Sequence, residues 1–180
     1  MLQITIPARE YFDEESQMFI QTKEQTLQLE HSLVSLSKWE SKWNKPFLKE
    51  GSISVEETVD YIRCMTITQN VNPNVYLGIT DEIVEKVMAY IDMPMTATTF
   101  NEENTGNGKK EIVTAEIIYY WMIALNIPFE CQRWHLNRLL TQIRVCNIKN
   151  TPPKKMSHKE IMTRNRNLNA ARRKALNTKG

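Results

Sequence analysis

Only five glycines occur in the 180-residue chain, and their scarcity leaves few places for a backbone loop to cradle a phosphate. The one stretch with two glycines near lysines, "TGNGKK" at residues 105–110, lacks the first Gly of a phosphate loop at the required spacing and the Ser or Thr after Lys. It reads as a solvated loop. Three cysteines, Cys64, Cys131 and Cys146, are odd in number and have no paired spacing, which argues for reduced thiols rather than a disulfide framework. No apolar run reaches the roughly 18 residues of a membrane span. The opening "MLQITIPARE" has neither a basic n-region nor a long apolar h-region, so secretion is not indicated. There are three histidines, His31, His135 and His158, and no Ser or Cys near them marks a strained nucleophile turn. Acid pairs such as Glu14/Glu15, Glu56/Glu57 and Glu102/Glu103 are adjacent in sequence, so on a helix they diverge. The expectation is a protein without enzymatic activity or cofactor.

A metal site is also not expected. Cys131 and His135 stand at i, i+4 of an expected helix, but two ligands do not make a zinc site. Cys146 would lie roughly 16 Å from His135 along that helix.

What the chain does have is an uneven distribution of charge. The net charge of +2 conceals nine Lys or Arg and one acid, Glu160, within residues 151–180. That leaves 14 basic and 20 acidic residues before Thr151, a body of −6 against a tail of +8. "TPPKK" at 151–155 reads as the linker between them. The length suits one domain with a sizeable core.

Hydrophobic periodicity predicts a mainly α protein: one helical domain with a small N-terminal β-ribbon, together residues 1–150, followed by a basic helical arm at 151–180. Alternation predicts ribbon strands at 2–7, 17–22 and 26–31. From Ser32 the period becomes 3.6. The first helix is expected over Leu33–Asn44, ending before Pro46, with Leu36, Trp39 and Trp43 on one face. "SVEE" at Ser54 is a capping box that opens a second helix, with Val59, Ile62, Cys64, Met65 and Ile67 toward the core. A third helix follows Thr80 and stops before Pro94, with Asp81 and Glu82 in its first turn. A polar loop at 98–110 precedes a fourth helix, about Glu111–Asn126. Pro128 then separates it from a fifth, about Glu130–Ile148. Ser157 and Glu160 form another capping box before a basic helix at about His158–Ala175.

The fourth helix contains nine consecutive apolar or aromatic residues, Ile117–Leu125. Two readings stand. It is a central helix wrapped by the helices carrying Trp39/Trp43 and Trp134, or part of its surface, with Tyr119, Tyr120 and Trp121, meets another chain. The candidate partner-binding residues are therefore Trp39, Trp43, Tyr119, Tyr120, Trp121 and Trp134, together with Lys154, Lys155, Arg164, Arg166, Arg172, Arg173 and Lys174 of the arm. The arm has too little apolar surface to fold alone, so it is expected to order against an acidic protein surface, such as the body of a neighbouring copy. Phosphate neutralisation on nucleic acid is the other reading of the same residues. Against it, no aromatics for base stacking are interleaved with the basic residues.

The stretches "LQLEHSLVSLSKWESKWNKPFL", "DYIRCMTITQNV", "AEIIYYWMIALNIPFECQRWHLNRLLTQIRVCNIKN" and "RNRNLNAARRKALNTKG" resemble tail assembly chaperones of long-tailed bacteriophages. The resemblance covers nearly the whole chain. It implies a non-enzymatic protein of the host cell cytoplasm that coats the helical tape measure protein and helps recruit the tail tube protein. Such a protein leaves before the virion matures. A homo-oligomer is a separate expectation, from the arm and the acidic body of a neighbouring copy. A connector protein retained in the virion and a nucleic-acid-binding accessory protein are the alternatives. No catalytic motif accompanies the resemblance.

Overall fold

A computed structural model describes residues 1–13, 17–49, 51, 53–100, 112–152 and 157–177. The chain is mostly helical with a small β-ribbon at its N-terminus, and it divides into two compact units, Met1–Asn147 and Ile148–Gly180. No helix among the described residues is long and apolar enough to cross a membrane.

The ribbon has four strands where alternation predicted three: β1 (Leu2–Ile6), β2 (Arg9–Asp13), β3 (Met18–Thr22) and β4 (Gln25–Leu29). Antiparallel pairing joins β1 to β4, with Ile4 opposite Leu27, and β2 to β3, with Phe12 opposite Phe19. The chain thus makes one long hairpin broken into two sheets at Pro7–Ala8 and Lys23–Glu24. Pro7 has no N–H to give to a ladder, which is reason enough for a break there. Ile4, Ile6, Leu27 and Leu29 face inward and are buried, while Thr5 and Thr26 pair their hydroxyls at 3.1 Å on the outer side. β2 escaped prediction because Glu10 and Asp13 dilute the alternation around Tyr11 and Phe12.

Helix α1 (Leu33–Trp43) is the partition of the body. Trp39 belongs to a core that contains β1, β4, α2 (Val55–Met65) and α3 (Asp81–Asp92). Leu33 and Leu36 belong to a second core with α4 (Ala115–Ala124) and α5 (Leu136–Asn150). Both expected capping boxes form, at Ser54/Glu57 and Ser157/Glu160, and Ser32/Ser35 makes a third at α1. A 3-10 helix, Pro73–Gly78, lies against the ribbon. A Cβ built on Gly78 would come within 2.6 Å of Ile6 Cγ2, so this glycine is required by close approach. Elsewhere asparagine does the work usually given to glycine. Asn44, Asn70, Asn126 and Asn177 all adopt positive φ, and Asn44 and Asn177 close α1 and α6 (His158–Leu176).

Several predicted boundaries and faces need correction. The fifth helix begins at Leu136, not near Glu130: Phe129–Arg133 is a 3-10 helix, and His135 bridges to Ser32 in extended geometry. The bridge is closed by the Leu136 N–H donating to the His31 carbonyl at 2.9 Å. Ile67 is exposed because the chain after α2 runs extended beside β4, where the Ile67 N–H donates to the Gln28 carbonyl. Val59 and Cys64 are half-buried. The nine-residue apolar run is not wrapped on all sides. Ala115, Ile118 and Met122 are buried, while Tyr120 and Ile123 are 67% and 60% exposed. The fourth helix begins at Ala115, not near Glu111, because Thr114 before it is extended. Residues 101–111, with the TGNGKK stretch and Glu102/Glu103, lie outside the described residues, as do Glu14/Glu15.

Helix α4 has no side-chain cap of its own, although Thr114 occupies the N-cap position. Glu40 of α1 supplies the missing acceptor. Its carboxylate takes the Ala115 N–H at 2.7 Å and the Phe47 N–H at 2.9 Å, placing negative charge at the positive end of the α4 dipole. Replacing Glu40 with Ala leaves two backbone donors without their acceptor and should cost about 2–4 kcal/mol. Urea unfolding of Glu40→Ala beside the wild type checks this, and a change under about 0.5 kcal/mol, as at an indifferent surface site, would refute the staple.

Candidate partner-binding surface

The aromatic candidates separate by burial. Trp39 is 2% exposed, and its indole N–H donates to the Glu57 carbonyl at 2.9 Å. Phe47 and Tyr61 pack edge-on against it. It is a core residue with no surface to offer a partner. Trp43, one turn later, is half-buried and donates its N–H to the Asp60 carboxylate at 2.9 Å. Both tryptophans therefore anchor α1 to α2 through polar as well as apolar contacts.

Charge reinforces the same joint. Lys42 binds Asp60, Lys45 binds Glu57, and Arg63 stands 3.8 Å from Asp60. Burial works to raise the Asp60 carboxyl, but the bonds from Lys42 and Trp43 outweigh it and hold the group below its ordinary value. The Lys45 bond and the Ser54 backbone N–H hold Glu57 low as well. Beside this joint a groove of about 400 Å³ is lined by Trp43, Val59, Tyr76, Leu77 and Ile79, with Arg63 over the Tyr76 ring.

On the other core, Tyr119, Trp121 and Trp134 are half-buried. The Tyr119 hydroxyl donates to Gln132 Oε1 at 3.0 Å, and its ring lies 6.4 Å from that of Phe129. Arg138 covers the Trp134 ring at 4.2 Å. Tyr120 and Ile123, three residues apart on one side of α4, remain uncovered, and so does Phe129 at 52% exposure. A second apolar patch lies on the ribbon, where Phe12 and Phe19 are exposed and packed on each other at 5.1 Å. Sequence reasoning missed Phe129 and this patch. The signal available for the latter was the closeness in sequence of "EYFD" and "QMFI", each with a phenylalanine beside apolar or aromatic neighbours.

Arg164, Arg166, Arg172, Arg173 and Lys174 are all exposed on α6, which buries no residue. Lys154 and Lys155 lie outside the described residues. Cys131 and His135 do not share a helix. Cys131 sits in the 3-10 helix, and His135 Nε2 is committed to the Tyr90 carbonyl at 3.0 Å. Among the described residues, no group of three His, Cys, Asp or Glu side chains is placed to hold a metal ion.

His135 belongs instead to a buried polar knot between the two cores. The Asn137 N–H approaches His135 Nδ1 at 3.3 Å, leaving Nε2 as the donor to Tyr90. His31 Nδ1 lies 2.6 Å from the Tyr61 hydroxyl, and the two imidazoles meet edge to face at 5.0 Å. Burial, with His135 alongside, pushes His31 down to about 3, and burial also lowers His135. Comparison with protein-family models, with curated proteins and with solved structures finds no match.

The knot gives the protein an acid-sensitive point. The His31 value is depressed when folded, so its contribution to stability is complete above the unfolded value near 6.5. It is lost as pH falls from there toward about 3. At pH 5 the loss from His31 should reach about 2 kcal/mol, before most carboxylates titrate. Urea unfolding at pH 8 and pH 5 measures the drop, and His31→Gln should reduce it by about that amount. An unchanged drop in the variant would show that His31 is not the source.

Proposed function

We propose that the chain is a tail assembly chaperone of long-tailed bacteriophages, which binds the tape measure protein and assists tail tube assembly without chemistry of its own. The uncovered side of α4 carries this reading: Tyr120 and Ile123 face solvent, with Phe129 also exposed on the 3-10 helix that follows. Surface aromatics and aliphatics of this kind suit an amphipathic partner helix, which needs apolar cover and an anchor of Tyr or Trp type. The groove beside Trp43 offers a second contact for a long partner. The sequence resemblance to the chaperone family supplies the identity of that partner, and the charged arm suits a protein that must engage and later leave. On this reading the protein works in the host cell cytoplasm and is absent from the finished particle.

The test uses the exposed side chains. Tyr120→Ser with Ile123→Ser removes apolar surface that supports no core, so thermal stability should stay within about 0.5 kcal/mol of wild type. Co-expression with the tape measure protein should then leave more of that partner insoluble than wild type does. Equal solubilisation by the double variant would refute the α4 surface. Detection of the chain at structural stoichiometry in purified virions by mass spectrometry would instead favour a retained connector.

A further inference from the structure

Two exposed helical faces of this chain match each other in spacing and oppose each other in charge. On α3, Asp81, Glu85, Met88 and Asp92 follow at i, i+4, i+7 and i+11, so they line one face, and all four are exposed. The inner face of the same helix is occupied by Ile83, Val87 and Tyr90, which fixes the acidic face outward. None of these acids takes part in the ion pairs among the described residues, which involve Asp60 and Glu57. On α6, Lys159, Met162, Arg166, Asn169 and Arg173 follow at i, i+3, i+7, i+10 and i+14, again on one exposed face.

The correspondence is closer than general charge attraction. Glu85, Met88 and Asp92 are separated by three and four residues, and so are Lys159, Met162 and Arg166. In each helix the two charges stand about 10 Å apart along the axis. Met88 and Met162, 44% and 60% exposed, occupy the equivalent position between them. Laid parallel, the helices set Lys159 against Glu85, Met162 against Met88 and Arg166 against Asp92.

We propose that α6 of one copy docks on the acidic face of α3 of a second copy, in that parallel register. The match gives a packing partner to a 19-residue helix that has no buried side chain, since in proteins most helical stability comes from packing. It also explains the opposition of a −6 body and a +8 arm, because every copy carries both halves of the contact. The contact is heterologous. Each docked pair leaves one free α3 face and one free α6, so association extends or closes into a ring. The proposal is independent of the tape-measure reading, since it requires no phage partner.

Sedimentation velocity of the full chain tests it. Association is expected at ~0.05 M salt and dissociation to monomers at ~1 M, where the screening length falls to ~3 Å. Glu85→Lys with Asp92→Lys should be monomeric at low salt, and so should Lys159→Glu with Arg166→Glu, with circular dichroism confirming that both remain folded. An equimolar mixture of the two variants restores opposite charges only between different chains, and it should associate again. Four results would overturn the proposal: a wild-type monomer at low salt, association that neither variant weakens at least tenfold, a mixture that stays monomeric, or binding of a ~20-nucleotide RNA that requires Lys159 and Arg166 while the protein itself stays monomeric. The third would place the contact elsewhere on the surface. The last would assign the basic face to phosphates.

Discussion

The body depends on the buried carboxylate of Glu40. Glu40 projects from α1 at the point where the two cores meet, and it receives backbone N–H groups from Phe47 and from Ala115, 75 residues further along the chain. A loop entering a buried region must place its N–H groups on something, and a helix start has N–H groups that no residue within the helix can accept. Glu40 answers both demands with one side chain. Phe47 can then pack on Trp39 and Tyr61 in one core and also reach the second. Held at Ala115, α4 turns Ile118 and Met122 inward and Tyr120 and Ile123 outward. The candidate surface is thus a consequence of where α4 is pinned.

The polar knot does for the other end of α1 what Glu40 does for its C-terminal half. His31 and His135 sit on segments just before α1 and α5, and their backbones join through the Ser32 bridge and the Leu136 N–H. Their rings reach Tyr61 of α2 and the carbonyl of Tyr90 in α3. Four elements are tied by neutral, fully buried hydrogen bonds, which are stronger in a low dielectric and costly to leave incomplete. Asn137 extends the same tie by donating to the carbonyls of Ile91 and Met93, which secures the end of α3. The acidic outer face of α3 is therefore carried on a helix fixed from within.

Much of this was legible in the sequence wherever local chemistry decides the outcome. The Ser54/Glu57 and Ser157/Glu160 capping boxes, the stop of α1 before Pro46 and the acids opening α3 follow from neighbours a few residues apart. What resisted prediction depends on distant partners. The extended His135 looked like part of a helix because its bridge is to Ser32, more than a hundred residues away. Ile67 looked like a core residue because helical period was carried past the end of α2, where pairing beside β4 takes over. Sequence reasoning grouped Tyr120 with Tyr119 and Trp121 as possible outer surface but could not separate it from these half-buried neighbours or add Ile123, because nine apolar residues in a row contain no period to mark an outer face. Among the aromatics, Trp39 and Trp43 share a face by spacing, yet only packing against Glu57, Phe47 and Tyr61 distinguishes the buried one from the half-buried one.

The scarcity of glycine bears on how such a chain can present surfaces to others. Helix ends and turns that need positive φ are closed here mostly by asparagine, whose side chain tolerates the left-handed region while restricting it more than glycine does. A chain stiffened at Asn44 and Asn126 gives up less freedom when it is ordered than one hinged on glycine would. The turn after α4 illustrates the point. Asn126 reverses the chain, Ile127 returns to the core with its N–H on the Met122 carbonyl, and Pro128 sets the entry to the 3-10 helix. Phe129 then lies against Tyr119 instead of sweeping solvent. The uncovered apolar side chains of this region are therefore mounted on backbone that is already fixed. Side chains mounted in that way lose less to ordering in any contact they make, and more of their apolar area is left to contribute to it.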